Sequence, residues 1–113
     1  MKIAFTSKGN SWSSEMDPRF GRAEYIFVYD EESKKIEVVE NEGISQVEHG
    51  AGPRTAKLVF DINPDIIITG NGPGGNALRV LEKADIKMFT GASEMSLEEA
   101  YKKYQNNELT IFE

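Results

Sequence analysis

Cysteine is absent from the 113-residue chain. Its absence excludes disulfides, thiolate zinc sites, a cysteine nucleophile and an iron–sulfur cluster on its usual thiolate ligands. Histidine occurs once, as His49, so a catalytic scheme or metal cage that needs two imidazoles is excluded within one chain. Cations are in deficit, with 13 Lys and Arg against 19 Asp and Glu and a formal net charge of −6. That balance argues against broad binding to DNA or RNA, whose affinity comes largely from cations on phosphates. It leaves room for a small anion in a local pocket. No apolar run approaches the roughly 18 residues of a membrane span. The opening Met1-Lys2-Ile3-Ala4-Phe5 turns polar at Thr6-Ser7-Lys8, too early for a secretory leader. Neither a nucleic-acid nor a membrane partner is expected, and the expected location is the cytoplasm.

What is present suits one folded domain spanning 1–113, long enough for its own core. Residues 3–6 form a short apolar run, expected as a buried strand, and residues 7–17 a long polar loop. Residues 25–29 and 36–40 are aromatic and β-branched around a charged turn at 30–35, the pattern of an antiparallel hairpin. Pro53 suits a first helical turn, Ala56, Val59 and Phe60 share one helical face, and Asn63-Pro64 stops the helix. Ile66-Ile67-Ile68 reads as a strand covered on both faces. Ala77, Val80, Leu81 and Ala84 mark a second amphipathic helix, and residues 87–90 a further strand. Ser96-Leu97-Glu98-Glu99 is a capping box opening a third helix. Asn106-Asn107 ends that helix, and residues 109–112 are an apolar tail that suits a core flap or a dimer contact. Strands alternating with helices imply parallel crossovers and helices on both sheet faces, so the class is α/β with a mixed sheet.

Four segments fall after strands or at helix starts, where open α/β sheets bind ligands. They are Asp17-Pro18-Arg19-Phe20-Gly21-Arg22-Ala23, His49-Gly50-Ala51-Gly52-Pro53-Arg54, Gly70-Asn71-Gly72-Pro73-Gly74-Gly75-Asn76 and Gly91-Ala92-Ser93. Gly70, Gly72 and Gly75 spell G-x-G-x-x-G, but after a late strand and without the acidic residue a dinucleotide site places on the next strand. No Lys-Ser or Lys-Thr follows, so the turn is not a Walker loop. A Gly-rich turn into a helix still offers backbone amides to an anion; the plainer alternative is a tight turn. Arg19 and Arg22 flank Phe20-Gly21 and suit an anion, or pair with Glu15, Asp17 or Glu24. His49 suits a metal ligand or hydrogen-bond donor, or a loop residue capping a helix. Met16 and Met95 read as apolar caps of the loops, with soft metal ligands as the other reading, and Trp12 as a lid or a side chain that folds back. The first strand carries no carboxylate for two-metal phosphodiester chemistry, and no Gly-x-Ser-x-Gly elbow is present.

These motifs resemble the dinitrogenase iron-molybdenum cofactor-biosynthesis family, small carriers of metal–sulfide clusters. Phe20-Gly21-Arg22-Ala23 before an aromatic strand is one match, and His49-Gly50-Ala51-Gly52-Pro53 is a second. The turn from Gly70 to Leu78 is a third, and Gly91-Ala92-Ser93 with Leu97-Glu98-Glu99-Ala100 is a fourth. The resemblance runs from Met1 to Leu109 and implies a ribonuclease H-like three-layer α/β/α fold with a five-stranded mixed sheet. It implies no enzymatic activity, but binding, storage or transfer of the iron-molybdenum cofactor, its iron–sulfur precursor or a related molybdenum–copper sulfide cluster, as transient cargo with no permanently bound cofactor. Cluster donor and acceptor proteins are the implied partners. Relatives often carry His where Arg19 stands, which leaves His49 as the sole imidazole.

The expected site is therefore a crevice formed by Arg19, Phe20, Gly21, Arg22, His49, Gly50, Gly52, Gly70, Gly72, Gly74, Gly75, Gly91 and Ser93. The arginines would neutralise charge, the glycine amides would donate, and His49 would ligate metal or donate a hydrogen bond. A regulatory module sensing a phosphate or nucleotide through the same loops is the alternative, and a protein-interaction domain a third.

Overall fold

The computed structural model describes residues 1–112, apart from the side chains of residues 45 and 76. The chain runs β1 (Lys2–Ser7), β2 (Tyr25–Asp30), β3 (Ile36–Glu40), α1 (Ala51–Ile62), β4 (Ile66–Ile68), α2 (Gly75–Glu82), β5 (Lys87–Thr90), α3 (Leu97–Gln105) and β6 (Thr110–Ile111). All six strands join one sheet in the order β3-β2-β1-β4-β5-β6. β1, β4 and β5 are parallel neighbours, while β2, β3 and β6 pair antiparallel.

Alternation along the central strands explains the layers. Ile3, Phe5, Ile66 and Ile68 face Leu97 and Ala100 of α3. Ala4 and Ile67 face Ala56 and Val59 of α1 and Ala77 and Leu81 of α2. The three isoleucines of β4 thus serve both cores, as a two-sided strand must. Phe5 and Phe27 are fully buried, each stabilising the fold by about 1.5–3 kcal/mol through removal from water. Among the described residues, no helix is long and apolar enough to cross a membrane.

The long loop after β1 folds back against the sheet. Trp12 packs edge-on to Phe27 and Tyr29, with ring centroids 5.0 and 5.1 Å apart. The carbonyls of Ser14 and Trp12 accept from the amides of Leu97 and Glu98, fixing the start of α3. There Ser96 Oγ accepts from the Glu99 amide at 3.2 Å, as the capping box requires. Met16 is fully buried.

The sheet has six strands, not the five expected. The tail pairs with β5, Thr110 opposite Thr90 and Ile111 opposite Phe89, after Asn107 at φ 59° turns the chain back. A two-residue strand is too short to show a period in sequence. Phe60, expected on the buried face of α1, is 38% exposed. Thr55 is buried on that helix beside Ala51, Ala56 and Val59, a polar residue that the apolar spacing passed over. Ala84 lies two residues beyond the end of α2.

The Tyr101 hydroxyl donates to Glu31 Oε2 at 2.6 Å, linking α3 to the β2–β3 turn. Burial first, then that carboxylate, raises its ionisation well above the ordinary tyrosine value. A raised folded-state value means that the stabilisation is complete below about pH 10, the ordinary tyrosine value, and declines as pH rises beyond it. Tyr101→Phe should cost about 1 kcal/mol at neutral pH and flatten the alkaline decline. Urea denaturation of both proteins between about pH 8 and pH 11 checks both effects.

Candidate functional site

The loops at the carboxyl ends of β1, β4 and β5 meet through backbone contacts. Gly70 lies against Pro18 so closely that an added Cβ would sit 2.6 Å from the Pro18 Cα, and Ser93 Oγ closes its other side. The Asn71 amide donates to the Pro18 carbonyl at 2.9 Å, and the Gly91 amide to the Gly70 carbonyl at 3.0 Å. Segments 17–23, 70–76 and 91–93 are thereby joined.

The remaining segment comes in through α1. Gly21 approaches Gly52, where an added Cβ would lie 2.9 Å from the Gly52 Cα and 3.0 Å from its nitrogen. A buried polar relay holds that approach. Asn41 Nδ2 donates to the Ala23 carbonyl at 2.9 Å and to Thr55 Oγ1 at 2.8 Å, and Thr55 Oγ1 donates to the Gly21 carbonyl at 2.9 Å. Gly52 in turn faces Ala77, an added Cβ lying 3.5 Å from the Ala77 Cβ, so the starts of α1 and α2 lie side by side.

The two helix starts share an unusual feature. α3 has Ser96 as a side-chain cap, whereas α1 begins at Gly50 and α2 at Gly74 with no side-chain cap hydrogen bond. First-turn amides have no intrahelical acceptor, and they carry the positive end of the helix dipole. Gly74 and Gly75 are exposed, lack positive φ, and have open space where a Cβ would project. Neither packing nor backbone conformation demands glycine there. A ligand approaching the amides would.

Arginines are frequent in these segments. Three of the chain's four arginines, Arg19, Arg22 and Arg54, belong to these loops. Arg19 is 65% exposed, with Nε 3.5 Å from Asp17 Oδ1, which also accepts from the Arg19 amide at 3.0 Å. Asp17 itself is buried, and among the described residues its Oδ2 has no hydrogen-bond partner. Arg22 is half-buried, and its Nη1 donates to the carbonyls of Ile44 and Val47. His49 is exposed just before the Gly50 cap.

Other nominated residues take structural places. Phe20 is 2% exposed within the core shared by α1 and α2. Gly72 lies under the Phe112 ring, which an added Cβ would overlap. Sequence reasoning missed the Thr55–Asn41 relay; it offered Asp17 as a partner for the arginines, as Arg19 finds it, but not its burial. A threonine on an otherwise apolar helix face was the one available signal for the relay.

The surface also carries a depression of about 370 Å³ lined by Glu24, Tyr25, Glu40, Asn41, Glu42, Gly43 and Ile44. Its carboxylates repel an anion, so the amide-bearing crevice is the better anion site. Among the described residues, no group of three His, Cys, Asp or Glu is placed to hold a metal ion. The donor set of the crevice is N–H groups, which suit hydrogen bonding to an anion.

The sequence matches the family model described as Dinitrogenase iron-molybdenum cofactor over residues 1–107. The chain belongs to the dinitrogenase iron-molybdenum cofactor family. Two solved structures share the fold of this family member. The apo form of the orange protein from Desulfovibrio gigas is 27% identical with a TM-score of 0.89, covering 98% of this chain and 92% of that one. A Thermotoga protein that carries the NifB name and is placed in the DUF35 family is 32% identical with a TM-score of 0.82, covering 97% and 91%. No curated protein sequence gives a significant match.

Gly21→Ala should lower stability by about 1–3 kcal/mol, because backbone rather than a movable side chain opposes the new methyl. Chemical denaturation checks it; an unchanged midpoint would show that the loops separate without cost.

Proposed function

We propose that the protein binds and hands on a metal–sulfide cluster without transforming it. The observation that carries this reading is the pair of adjacent, glycine-capped helix starts, α1 and α2, with Gly74 and Gly75 exposed. Clusters of this class are anions with sulfide edges. Amides and a helix dipole hold an anion by many weak bonds, and a carrier needs cargo that leaves again. In the family, cargo of this kind is the iron-molybdenum cofactor, its iron–sulfur precursor or a molybdenum–copper sulfide cluster, which links the protein to nitrogen-fixation-related cofactor biosynthesis. The likeness to the orange protein, solved in an apo form, supports the carrier reading.

In this reading Arg19 supplies mobile charge at the mouth, the amides at Gly50, Gly52, Gly74 and Gly75 donate, Gly91 and Ser93 close the far wall, and His49 ligates metal or donates a hydrogen bond. The protein works in the cytoplasm, receives cargo from a donor protein and yields it to an acceptor. The order β3-β2-β1-β4-β5, with β2 antiparallel, supports a ribonuclease H-like core to which β6 is an addition.

The test is anaerobic gel filtration of the apo-protein after incubation with iron-molybdenum cofactor, its iron–sulfur precursor, or thiomolybdate with copper, with metals in the protein peak read by mass spectrometry. Near-stoichiometric metal with one of the three is expected. Metal-free peaks with all three, together with a thermal shift on adding nucleotide, would favour a phosphate-sensing module, which the same amides suit.

Gly74→Ala and Gly75→Ala separate function from folding. With no clash and no positive φ, each should leave stability unchanged or raise it by about 0.5 kcal/mol. Each should still weaken cluster retention, because the methyl occupies the approach to the amides. Retention equal to wild type in both variants would move the site elsewhere.

A further inference from the structure

Arg22 stands in a loop of the crevice, yet its guanidinium is engaged by backbone carbonyls. Nη1 donates to the Ile44 carbonyl at 3.1 Å and also to the Val47 carbonyl. Both acceptors belong to a strap that leaves β3 and leads to His49 and the start of α1. The strap is bounded by two left-handed glycines, Gly43 at φ 70° and Gly50 at φ 78°. Such residues let the chain turn sharply and give it little stiffness of its own. Between them lies one 3-10 turn, Ile44–Gln46, closed by Gln46 N–H to the Gly43 carbonyl and Val47 N–H to the Ile44 carbonyl. A single turn of this kind is weak in isolation.

Beyond the backbone bond from the Ile44 amide to the Asn41 carbonyl, three side chains hold the strap and its base. Ile44 is 3% exposed. Arg54, from the first turn of α1, donates to the Glu42 carbonyl. Arg22 holds two carbonyls three residues apart through Nη1 alone, whose two N–H groups are fixed in the guanidinium plane, a geometry that a freely rotating ammonium does not preset. Hydrogen bonds from a charged donor are stronger than those between neutral groups, so these two supply a large share of what fixes so short a segment.

We propose that Arg22 is a positioning residue for the cargo site: it pins the 43–50 strap and so sets where His49 and the Gly50–Gly52 amides lie, instead of meeting the cargo as a counter-charge. The proposal rests on the carrier reading for its effect on cargo, but the pinning is a property of the apo-protein and is tested separately.

The first arm is amide hydrogen exchange of the apo-protein. The Gln46 and Val47 amides should exchange at least about ten-fold faster in Arg22→Ala and in Arg22→Lys, the scale of one lost charge-assisted bond. Amides of β1 and β4 should be unchanged. Exchange of Gln46 and Val47 equal to wild type in both variants overturns the pin, whether or not any cargo binds.

The second arm measures release of the cluster that wild type retains. Arg22→Lys, which keeps the charge, and Ile44→Ala, which changes no charge but frees the strap, should each release it at least about five-fold faster than wild type. The double variant Arg22→Ala/His49→Ala should be no worse than the weaker of its two parents, because both act through one element. Wild-type retention in Arg22→Lys beside loss in Arg22→Ala would mean that charge alone matters and overturns the proposal. If wild type retains none of the three clusters, the carrier reading fails, and the exchange arm still decides the pin.

Discussion

Everything at the carboxyl end of the sheet depends on Gly21 and Gly52 meeting with no side chain between them. That approach brings the start of α1 against the loop after β1, and Gly52 then sits beside Ala77 at the start of α2. Two helix dipoles end in one place as a result. Like dipole ends repel, and their first-turn amides lack acceptors, so the arrangement costs free energy that an anion would recover. The fold offsets part of the cost with buried polar bonds from Asn41 and Thr55 to the Gly21 and Ala23 carbonyls. By contrast α3, on the other face of the sheet, is capped by the Ser96 side chain.

The charge distribution follows the same division. The molecule is acidic as a whole, yet Arg19, Arg22 and Arg54 all belong to the segments that form the crevice. Their cations are not equivalent. Arg19 is exposed and only loosely tied to the buried Asp17. Arg22 and Arg54 are committed to backbone carbonyls of the segment that carries His49. In the proposed carrier role, one exposed cation and several fixed amides would hold a cargo firmly enough to move it and loosely enough to give it up.

Much of the fold was legible in the sequence because its signals are local. The triple isoleucine, the hairpin around residues 30–35 and the capping box at Ser96 each name their element from a few neighbouring residues, and each element is present. β6 was not legible, since two residues carry no period and their partner lies twenty positions away. Phe60 misled because apolar spacing alone cannot tell that Thr55, with partners for its hydroxyl, takes the buried position. At the site, the four segments could be named from glycines and arginines. What each glycine does could not: Gly72 makes room for Phe112, while Gly74 and Gly75 face open space. Such distinctions depend on contacts between residues far apart in the chain.

The central claim is that backbone amides at the paired helix starts receive an anionic metal–sulfide cluster. The most direct measurement is amide chemical-shift mapping of the isotope-labelled apo-protein, titrated anaerobically with the diamagnetic thiomolybdate–copper(I) cluster. The account predicts that shifts concentrate at Gly50 to Gly52, Gly74 to Ala77 and Gly91 to Ser93, with little change around Trp12, Tyr29 and Tyr101. Shifts centred on that aromatic face or on the acidic depression by Glu24 and Glu40, or saturation with no movement of the Gly74 and Gly75 amides, would contradict it.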